Sequence, residues 1–171
     1  FLIDFFEASP DKHERIEQNS KPNFTQLNLT ENHKYSEETE QIHNHLIAKV
    51  FEYKNKYYEF VDKRCFPEQH NFEQFRIKRY LPNDKDGIEF HVDVENHASA
   101  RRFLVFFLYL NTVSEGGHTA FSLNRISEYH TMIQPEVGKM LVFPPLWTHP
   151  HVATHPISGP KYIIGSYLHY V

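Results

Sequence analysis

The second half of the chain is a series of short apolar segments separated by glycine and proline, and this pattern limits the fold more than any other feature. Segments with strand-like character lie at 72–81, 88–94, 102–111, 118–123, 129–135, 139–144, 149–157 and 161–171. Many short strands at such close spacing are typical of a β-sandwich or barrel. We therefore expect a mainly β fold, a double-stranded β-helix (jelly roll), in which the apolar run within 102–111 is a buried central strand.

The first 71 residues predict a different kind of structure. Residues 1–35 alternate short apolar stretches with polar ones, FLIDFF and then FTQLNL, which indicates one or two strands and loops. From Ser36, a candidate N-cap, apolar residues recur every three or four positions and predict an amphipathic helix that ends near Cys65, ahead of a proline. The apolar face consists of Ile42, Leu46, Val50, Tyr53, Tyr57 and Val61. We expect one domain over 1–171, with 1–71 supporting a jelly-roll core at 72–171.

Composition excludes several classes of protein. With a net charge of -4 and a pI near 6.4, the chain lacks the basic field that nucleic-acid binding requires. The most apolar run, at 103–110, is too short to span a bilayer as a helix, and FLIDFF lacks the basic start of a signal peptide. The single cysteine, Cys65, permits no intramolecular disulfide. We expect a cytoplasmic protein without a membrane or nucleic-acid partner.

Candidate metal ligands lie in the segment FHVDVENH at 90–97. His91 and Asp93 are two positions apart, so on a strand their side chains would share one face. Two histidines and one carboxylate, with open positions left on the metal, are typical of non-haem Fe(II) oxygenases. His149, His151 and His155 all have the parity to supply the second histidine, and spacing alone does not choose among them. The competing interpretation is a polar, solvent-facing strand.

Five motifs follow one another from about residue 73 to the end of the chain. They are RYLPNDKDGIEFHVD, RRFLVFFLYLN, EGGHTAF, QPEVGKMLVFPPLWTH and HVATHPISGPKYIIGSYL. In this order they resemble the Fe(II)/2-oxoglutarate dioxygenases, most closely the prolyl 4-hydroxylase-like branch. In that family the distal histidine usually lies ten residues before a basic anchor, and Lys161 lies ten residues after His151. The resemblance therefore implies His151 as the third ligand, with His149 second and His155 too near the turn.

The resemblance also implies a role for each site residue. His91, Asp93 and His151 would hold Fe(II), and Lys161 would bind the distal carboxylate of the cosubstrate 2-oxoglutarate. Tyr109 would donate a hydrogen bond to the same carboxylate. Tyr80 would face the cosubstrate, although core packing is an equal expectation for it. Dioxygen is the second cosubstrate, and ascorbate is a candidate additional cofactor.

Two departures from the family pattern concern the substrate side of the site. His118 stands before Thr119 where relatives usually have glutamate, and Val152-Ala153 stands where they often have Arg-Gly. The second change removes an arginine that would face the substrate. Arg101 and Arg102, at the start of the central strand, are candidates for the substrate cleft or for an ordinary charged strand end.

The expected reaction is hydroxylation of a C–H bond, with release of succinate and carbon dioxide. A prolyl residue in a peptide or protein is the leading substrate, and it predicts an open groove near loops 65–72 and 94–101. The alternatives are the same chemistry on a small molecule or another amino-acid side chain, and a non-catalytic, cupin-like metal-binding module. A structural zinc site ranks lower, because such sites prefer a fourth protein ligand and Cys65 falls on the predicted helix.

Overall fold

The computed structural model describes residues 1–19, 22–31, 37–59, 62–123 and 128–171. The described residues form helices α1 (Leu2–Glu7) and α2 (Glu37–Tyr57) and eleven strands. The strands are β1 (Glu14–Ile16), β2 (Phe24–Asn28), β3 (His70–Phe72), β4 (Arg76–Tyr80), β5 (Ile88–His91), β6 (Arg102–Tyr109), β7 (Thr119–Phe121), β8 (Thr131–Ile133), β9 (Met140–Phe143), β10 (His151–Ala153) and β11 (Lys161–Tyr170). Short 3-10 helices cover Pro10–Lys12 and Lys63–Cys65. The mainly β prediction is confirmed.

Two antiparallel sheets build the jelly roll. The larger has seven strands, in the order β1-β2-β4-β11-β6-β9, with β3 pairing the far end of β11. The smaller has four, in the order β5-β10-β7-β8. In the larger sheet β11 lies between β4 and β6, with Ile163 opposite Lys78 on one side and Tyr109 on the other. Strands far apart in sequence therefore meet around one space between the sheets.

The outer face of the larger sheet is covered by the helices. Leu46 and Val50 of α2 are buried against the same core cluster as Ile77 of β4 and Ile164 of β11. Each of these side chains contributes roughly 1.5–3 kcal/mol through removal of apolar surface from water. Ile42, Tyr53 and Tyr57 also pack on this cluster, as the periodicity predicts. The predicted N-cap Ser36 and the last member of the face, Val61, lie outside the described residues.

Two predictions for the N-terminal region are wrong in part. FLIDFF forms helix α1 rather than a strand, because its apolar residues follow a helical period and Phe6 is fully buried in the core under the helices. Helix α2 ends at Tyr57, earlier than predicted. The segment before Cys65 is a separate 3-10 helix, which begins where the Asp62 carboxylate accepts a hydrogen bond from Arg64 N at 2.9 Å. FTQLNL forms β2, as expected.

The strands are shorter than predicted, and for two of them this matters. β5 ends at His91, so Asp93 lies just beyond the strand and does not alternate with His91 along it. β10 spans only His151–Ala153, so His149 and His155 lie outside it. The predicted strand 72–81 is also divided into β3 and β4. No helix in the described parts of the chain is both long and apolar enough to cross a membrane.

Candidate active site

A cavity of about 290 Å³ lies between the two sheets. Its walls come from the inner face of the larger sheet and from β5, β7 and β10 of the smaller one. The polar and charged residues that line it are Gln26, Gln74, Arg76, Lys78, Tyr80, His91, Asp93, Arg102, Tyr109, Thr119, His151, Lys161, Ser166 and Tyr167. All six residues implied by the family resemblance therefore face one space.

His91, Asp93 and His151 form a cluster at one wall of this cavity. One ligand atom from each lies within 4.8 Å of the other two. His91 Nε2 is 3.8 Å from Asp93 Oδ1, and His151 Nε2 is 3.7 Å from Asp93 Oδ2. His91 and His151 are directly opposite in the β5–β10 ladder, which explains how residues far apart in sequence converge.

Backbone contacts orient both imidazoles toward the cavity. His91 Nδ1 donates to the carbonyl of Glu89 at 2.7 Å, and His151 Nδ1 donates to the carbonyl of His149 at 3.1 Å. Each Nε2 then keeps a lone pair, as a metal ligand must. Burial is the main cause that lowers the pKa of His151 to about 4, so its imidazole is neutral at physiological pH.

Asp93 lies beyond the end of β5 and is positioned by hydrogen bonds to residues of other segments. Its backbone N–H donates to the carbonyl of Pro145 at 3.2 Å, and its Oδ1 accepts a 2.7 Å hydrogen bond from the Tyr167 hydroxyl. Its Oδ2 is buried and accepts no hydrogen bond within the described part of the chain. A buried carboxylate oxygen without a donor is costly unless it binds a cation. Two free Nε2 atoms beside this oxygen fit the donor set of an Fe(II) site.

Lys161 lies on the inner face of β11 and is buried, with 1% of its surface exposed. Its Nζ donates to the carbonyl of Gly117 at 2.9 Å and lies 4.5 Å from the centre of the Tyr80 ring. Among the described residues no carboxylate pairs with it, and burial lowers its pKa to about 7. A buried ammonium group without an anion fits a site that receives a carboxylate.

The two tyrosines lie on either side of this lysine. Tyr80 is directly opposite Lys161 in the β4–β11 ladder, and its ring is buried beneath the ammonium group. The Tyr109 hydroxyl is hydrogen-bonded to that of Thr119 at 2.8 Å, inside the cavity. Burial raises the pKa of Tyr109 to about 12, so it remains a hydroxyl donor. Both tyrosines are buried and both line the cavity, and Tyr109 in addition makes a polar contact there.

The remaining sequence candidates lie outside this cluster. His149 and His155 do not belong to the group of three ligands, nor do they line the cavity. His118 is not among the lining residues either. The loops at 65–72 and 94–101 also contribute nothing to the walls, so the groove expected beside them is not the space that holds the candidate ligands.

Several cavity residues were missed or left undecided by sequence reasoning. Arg102 lines the cavity, makes a two-pronged ion pair with Glu73 at 2.7 and 2.8 Å, and lies 4.0 Å from the centre of the Tyr167 ring. Lys78 and Arg76 also line it. The signal was present in the sequence, because residues 76, 78 and 80 alternate along one strand and share the face assigned to Tyr80.

Comparison with known families supports the class that this geometry indicates. The model of the 2OG-Fe(II) oxygenase superfamily matches residues 75–169, more than half of the chain. The chain belongs to this superfamily and is a 2-oxoglutarate-dependent dioxygenase, whose family chemistry uses Fe(II), 2-oxoglutarate and dioxygen. No curated protein sequence matches the chain significantly.

Solved structures share the fold at low sequence identity. A viral collagen prolyl hydroxylase from Paramecium Bursaria Chlorella virus-1, solved with 2-oxoglutarate, is 21% identical, with a TM-score of 0.70 over 99% of this chain and 88% of that one. A Trichoplax adhaerens prolyl hydroxylase, solved with a hypoxia-inducible-factor peptide, is 14% identical (TM-score 0.72; 98% and 74% covered). A Pseudomonas putida prolyl-4-hydroxylase is 15% identical (TM-score 0.68; 99% and 84% covered). These similarities confirm the double-stranded β-helix.

Proposed function

We propose that the chain hydroxylates a C–H bond of a prolyl residue in a peptide or protein, consuming 2-oxoglutarate and dioxygen and releasing succinate and carbon dioxide. His91, Asp93 and His151 hold the iron, and Lys161 binds the distal carboxylate of 2-oxoglutarate. The observation that carries this assignment is the buried Asp93 Oδ2, which has no donor in the described structure and faces His151 Nε2 at 3.7 Å. Iron, 2-oxoglutarate and dioxygen together supply the oxidising power for the C–H bond.

The protein supplies position and charge. Tyr167 orients the Asp93 carboxylate through its 2.7 Å hydrogen bond, and Arg102 donates to the Asp93 carbonyl at 3.2 Å. Outer contacts of this kind typically contribute about 10–100-fold to metal affinity. At the other end, Lys161 and the Tyr109 hydroxyl present one cation and one donor to an incoming carboxylate.

The prolyl substrate is supported by the structural relatives, whereas the dimensions of the cavity admit a proline ring without distinguishing it from a small molecule. The viral and Trichoplax proteins are described as prolyl hydroxylases, the second of them with a bound peptide. A space of about 290 Å³ is small for a cosubstrate together with a large target, and a proline ring is compact. The same compactness makes hydroxylation of a small molecule the second candidate.

Incubation of the iron-loaded protein with 2-oxoglutarate and a set of proline-containing peptides tests the proposal. We expect succinate to form faster with a peptide substrate than without one, and the peptide mass to rise by one oxygen atom. Acceleration only by small molecules would favour the second candidate. A protein that binds metal but produces no succinate with any substrate would contradict the proposed reaction.

A further inference from the structure

Two cations in the cavity have no role in the proposed function. Lys78 and Arg76 lie on β4, on the same inward face as Tyr80, and both line the cavity. Tyr80 is opposite Lys161 in the ladder with β11, Lys78 is opposite Ile163, and Arg76 is opposite Gly165. The two cations therefore continue a row that begins at the candidate 2-oxoglutarate anchor and runs away from it.

Neither cation has a carboxylate partner in the described ranges of the chain. Lys78 has its ammonium group 4.8 Å from the centre of the Phe24 ring, and Arg76 donates to the side-chain oxygen of Gln74. Arg79, on the opposite face of the same strand, contacts both carboxylate oxygens of Glu7 at 2.8 and 2.9 Å. The strand therefore neutralises its outward arginine and leaves its inward cations without a counterion.

Loading of the site does not supply the missing anions. Under the proposed function the charges of ferrous iron, 2-oxoglutarate, Asp93 and Lys161 cancel one another. Arg102 is already paired with Glu73. Lys78 and Arg76 remain as an uncompensated positive pair in the cavity that contains the candidate metal ligands. Half-buried cations cost free energy unless an anion accompanies them, so such a pair is expected where a charged ligand binds.

A glycine and an amide lie beside this pair in the cavity wall. Gly165, opposite Arg76, places no side chain in the cavity, and a Cβ there would lie only 2.4 Å from the Phe106 carbonyl oxygen. Gln26, opposite Lys78 on its other side, adds an amide to the same wall. Burial lowers the pKa of Lys78 to about 8, which keeps the ammonium form predominant at neutral pH.

From this arrangement we infer that the substrate carries a carboxylate close to the carbon that is hydroxylated, and that Lys78 and Arg76 bind it. This inference rests on the proposed function. A planar carboxylate suits the guanidinium group of Arg76, and its small size suits a cavity of about 290 Å³ that also holds 2-oxoglutarate. The carboxylate comes either from the C-terminus of the substrate proline itself or from an acidic residue next to it.

Matched ligands that differ only in charge test the inference by binding rather than turnover. The full chain, loaded with Mn(II) and 2-oxoglutarate without oxygen, is titrated calorimetrically with N-acetylproline and N-acetylprolinamide. A second pair is acetyl-Asp-Pro-Gly-amide and acetyl-Asn-Pro-Gly-amide. We expect the acid of one pair to bind at least about tenfold more tightly than its amide. The pair that shows this preference identifies the source of the carboxylate.

Substitutions of Lys78 and Arg76 test whether these two residues cause the preference for the acid over the amide. Lys78→Met and Arg76→Gln should each reduce the preference for the acid to about threefold or less, with 2-oxoglutarate affinity unchanged. Lys85→Met is the matched control, because Lys85 is an exposed lysine after the same strand, and it should keep the full preference.

Several outcomes would overturn the inference. The first is equal binding of acid and amide in both pairs by the wild-type protein, a result that does not depend on whether the variants fold. Absence of binding by either acid, or a preference that survives Lys78→Met and Arg76→Gln, would overturn the inference as well. If 2-oxoglutarate binds but each acid and its amide bind with equal affinity, the proposed function stands and only the inference fails. If 2-oxoglutarate itself does not bind, both fail.

Discussion

On β4, Ile77 points into the core beneath the helices, whereas Lys78, the next residue, lines the cavity between the sheets. The same contrast extends along β11, where Tyr162 and Ile164 belong to the outer core while Lys161 and Tyr167 face inward. The outer face buries apolar surface and pairs its charges. The inner face carries Lys161, Lys78 and Arg76, which have no carboxylate partner in the described structure, and it faces Asp93 Oδ2, which accepts no hydrogen bond there.

Because side chains alternate along each strand, one face of the larger sheet packs in the apolar core and the other face lines the candidate active site. The helices contribute to the cavity indirectly, because their packing fixes the strands that carry the inward side chains. Substitutions at neighbouring positions should therefore have different kinds of effect, one on the free energy of unfolding and the other on ligand binding. This difference is open to direct test.

Among the residues that line the cavity, replacement of Asp93 should have the largest effect. Asp93→Ala removes the only carboxylate of the candidate metal cluster in the described chain. Loss of an outer contact already costs about 10–100-fold in metal affinity, so loss of this ligand should cost more than about 100-fold in iron binding and activity. Equilibrium dialysis and succinate formation measure the two effects. Asp84→Ala, at an exposed position, should change neither.

Ile77→Ala tests the outer face. Ile77 is fully buried, and its truncation should lower the free energy of unfolding by about 2–5 kcal/mol. Denaturant unfolding measures this, and 2-oxoglutarate affinity of the folded variant should stay near the wild-type value. Val137→Ala, at a residue that is 67% exposed, should change stability by less than about 0.5 kcal/mol. A large loss of ligand affinity with unchanged stability would break the division between the faces.

Lys161→Met should weaken 2-oxoglutarate binding about tenfold or more, because a charge-assisted contact is lost, while metal binding remains. Calorimetric titrations with Mn(II) and then 2-oxoglutarate separate the two steps. An equal loss of metal affinity would show that Lys161 is not the anchor for the cosubstrate.

The same lysine predicts a pH effect on the ligand-free protein. Burial lowers its pKa to about 7 in the folded state from the usual value near 10.5, so between these values the unfolded chain binds more protons. Stability from this group therefore decreases as pH falls from about 10.5 to 7 and is constant below. The unfolding free energy of the wild type minus that of Lys161→Met should therefore increase as the pH is raised from about 7 to about 10.5. A flat difference would contradict a buried ammonium group.

Tyr167→Phe should have the smallest effect of the series. It removes the 2.7 Å hydrogen bond to Asp93 Oδ1 and should weaken metal binding about tenfold. Tyr162→Phe is the matched control on the opposite face of β11, where the hydroxyl donates to Glu7 at 2.7 Å. It should cost about 1 kcal/mol of stability without changing metal affinity. Similar metal affinities in the two variants would contradict the assignment.

The fold class was predictable because the strand segments are short and bounded by glycine and proline, whereas the helical segment is long and has apolar residues every three or four positions. The apolar run at 102–111 contains β6, and the three-to-four spacing from Ile42 marks the face by which α2 packs. Strand ends were less predictable, because cross-strand contacts decide where pairing stops. That residues 1–171 form one domain, and that the protein is cytoplasmic, stay predictions.

The candidate site was predictable in its residues but not in its geometry. His91 and Asp93 were expected on one strand, whereas Asp93 lies beyond β5 and depends on Tyr167 and on the Pro145 carbonyl. The choice of His151 came from the family spacing alone, and its position opposite His91 depends on the β5–β10 register. Such long-range contacts leave no signal in local periodicity.

The most direct test of the central claim is an anaerobic titration of the protein with Fe(II) and then with 2-oxoglutarate, followed by visible absorption. We expect the weak charge-transfer band of 2-oxoglutarate bound to iron to appear in the wild type, to require a higher 2-oxoglutarate concentration in Lys161→Met, and to be absent in Asp93→Ala. A wild-type protein that binds iron but shows no band at saturating 2-oxoglutarate would contradict the account.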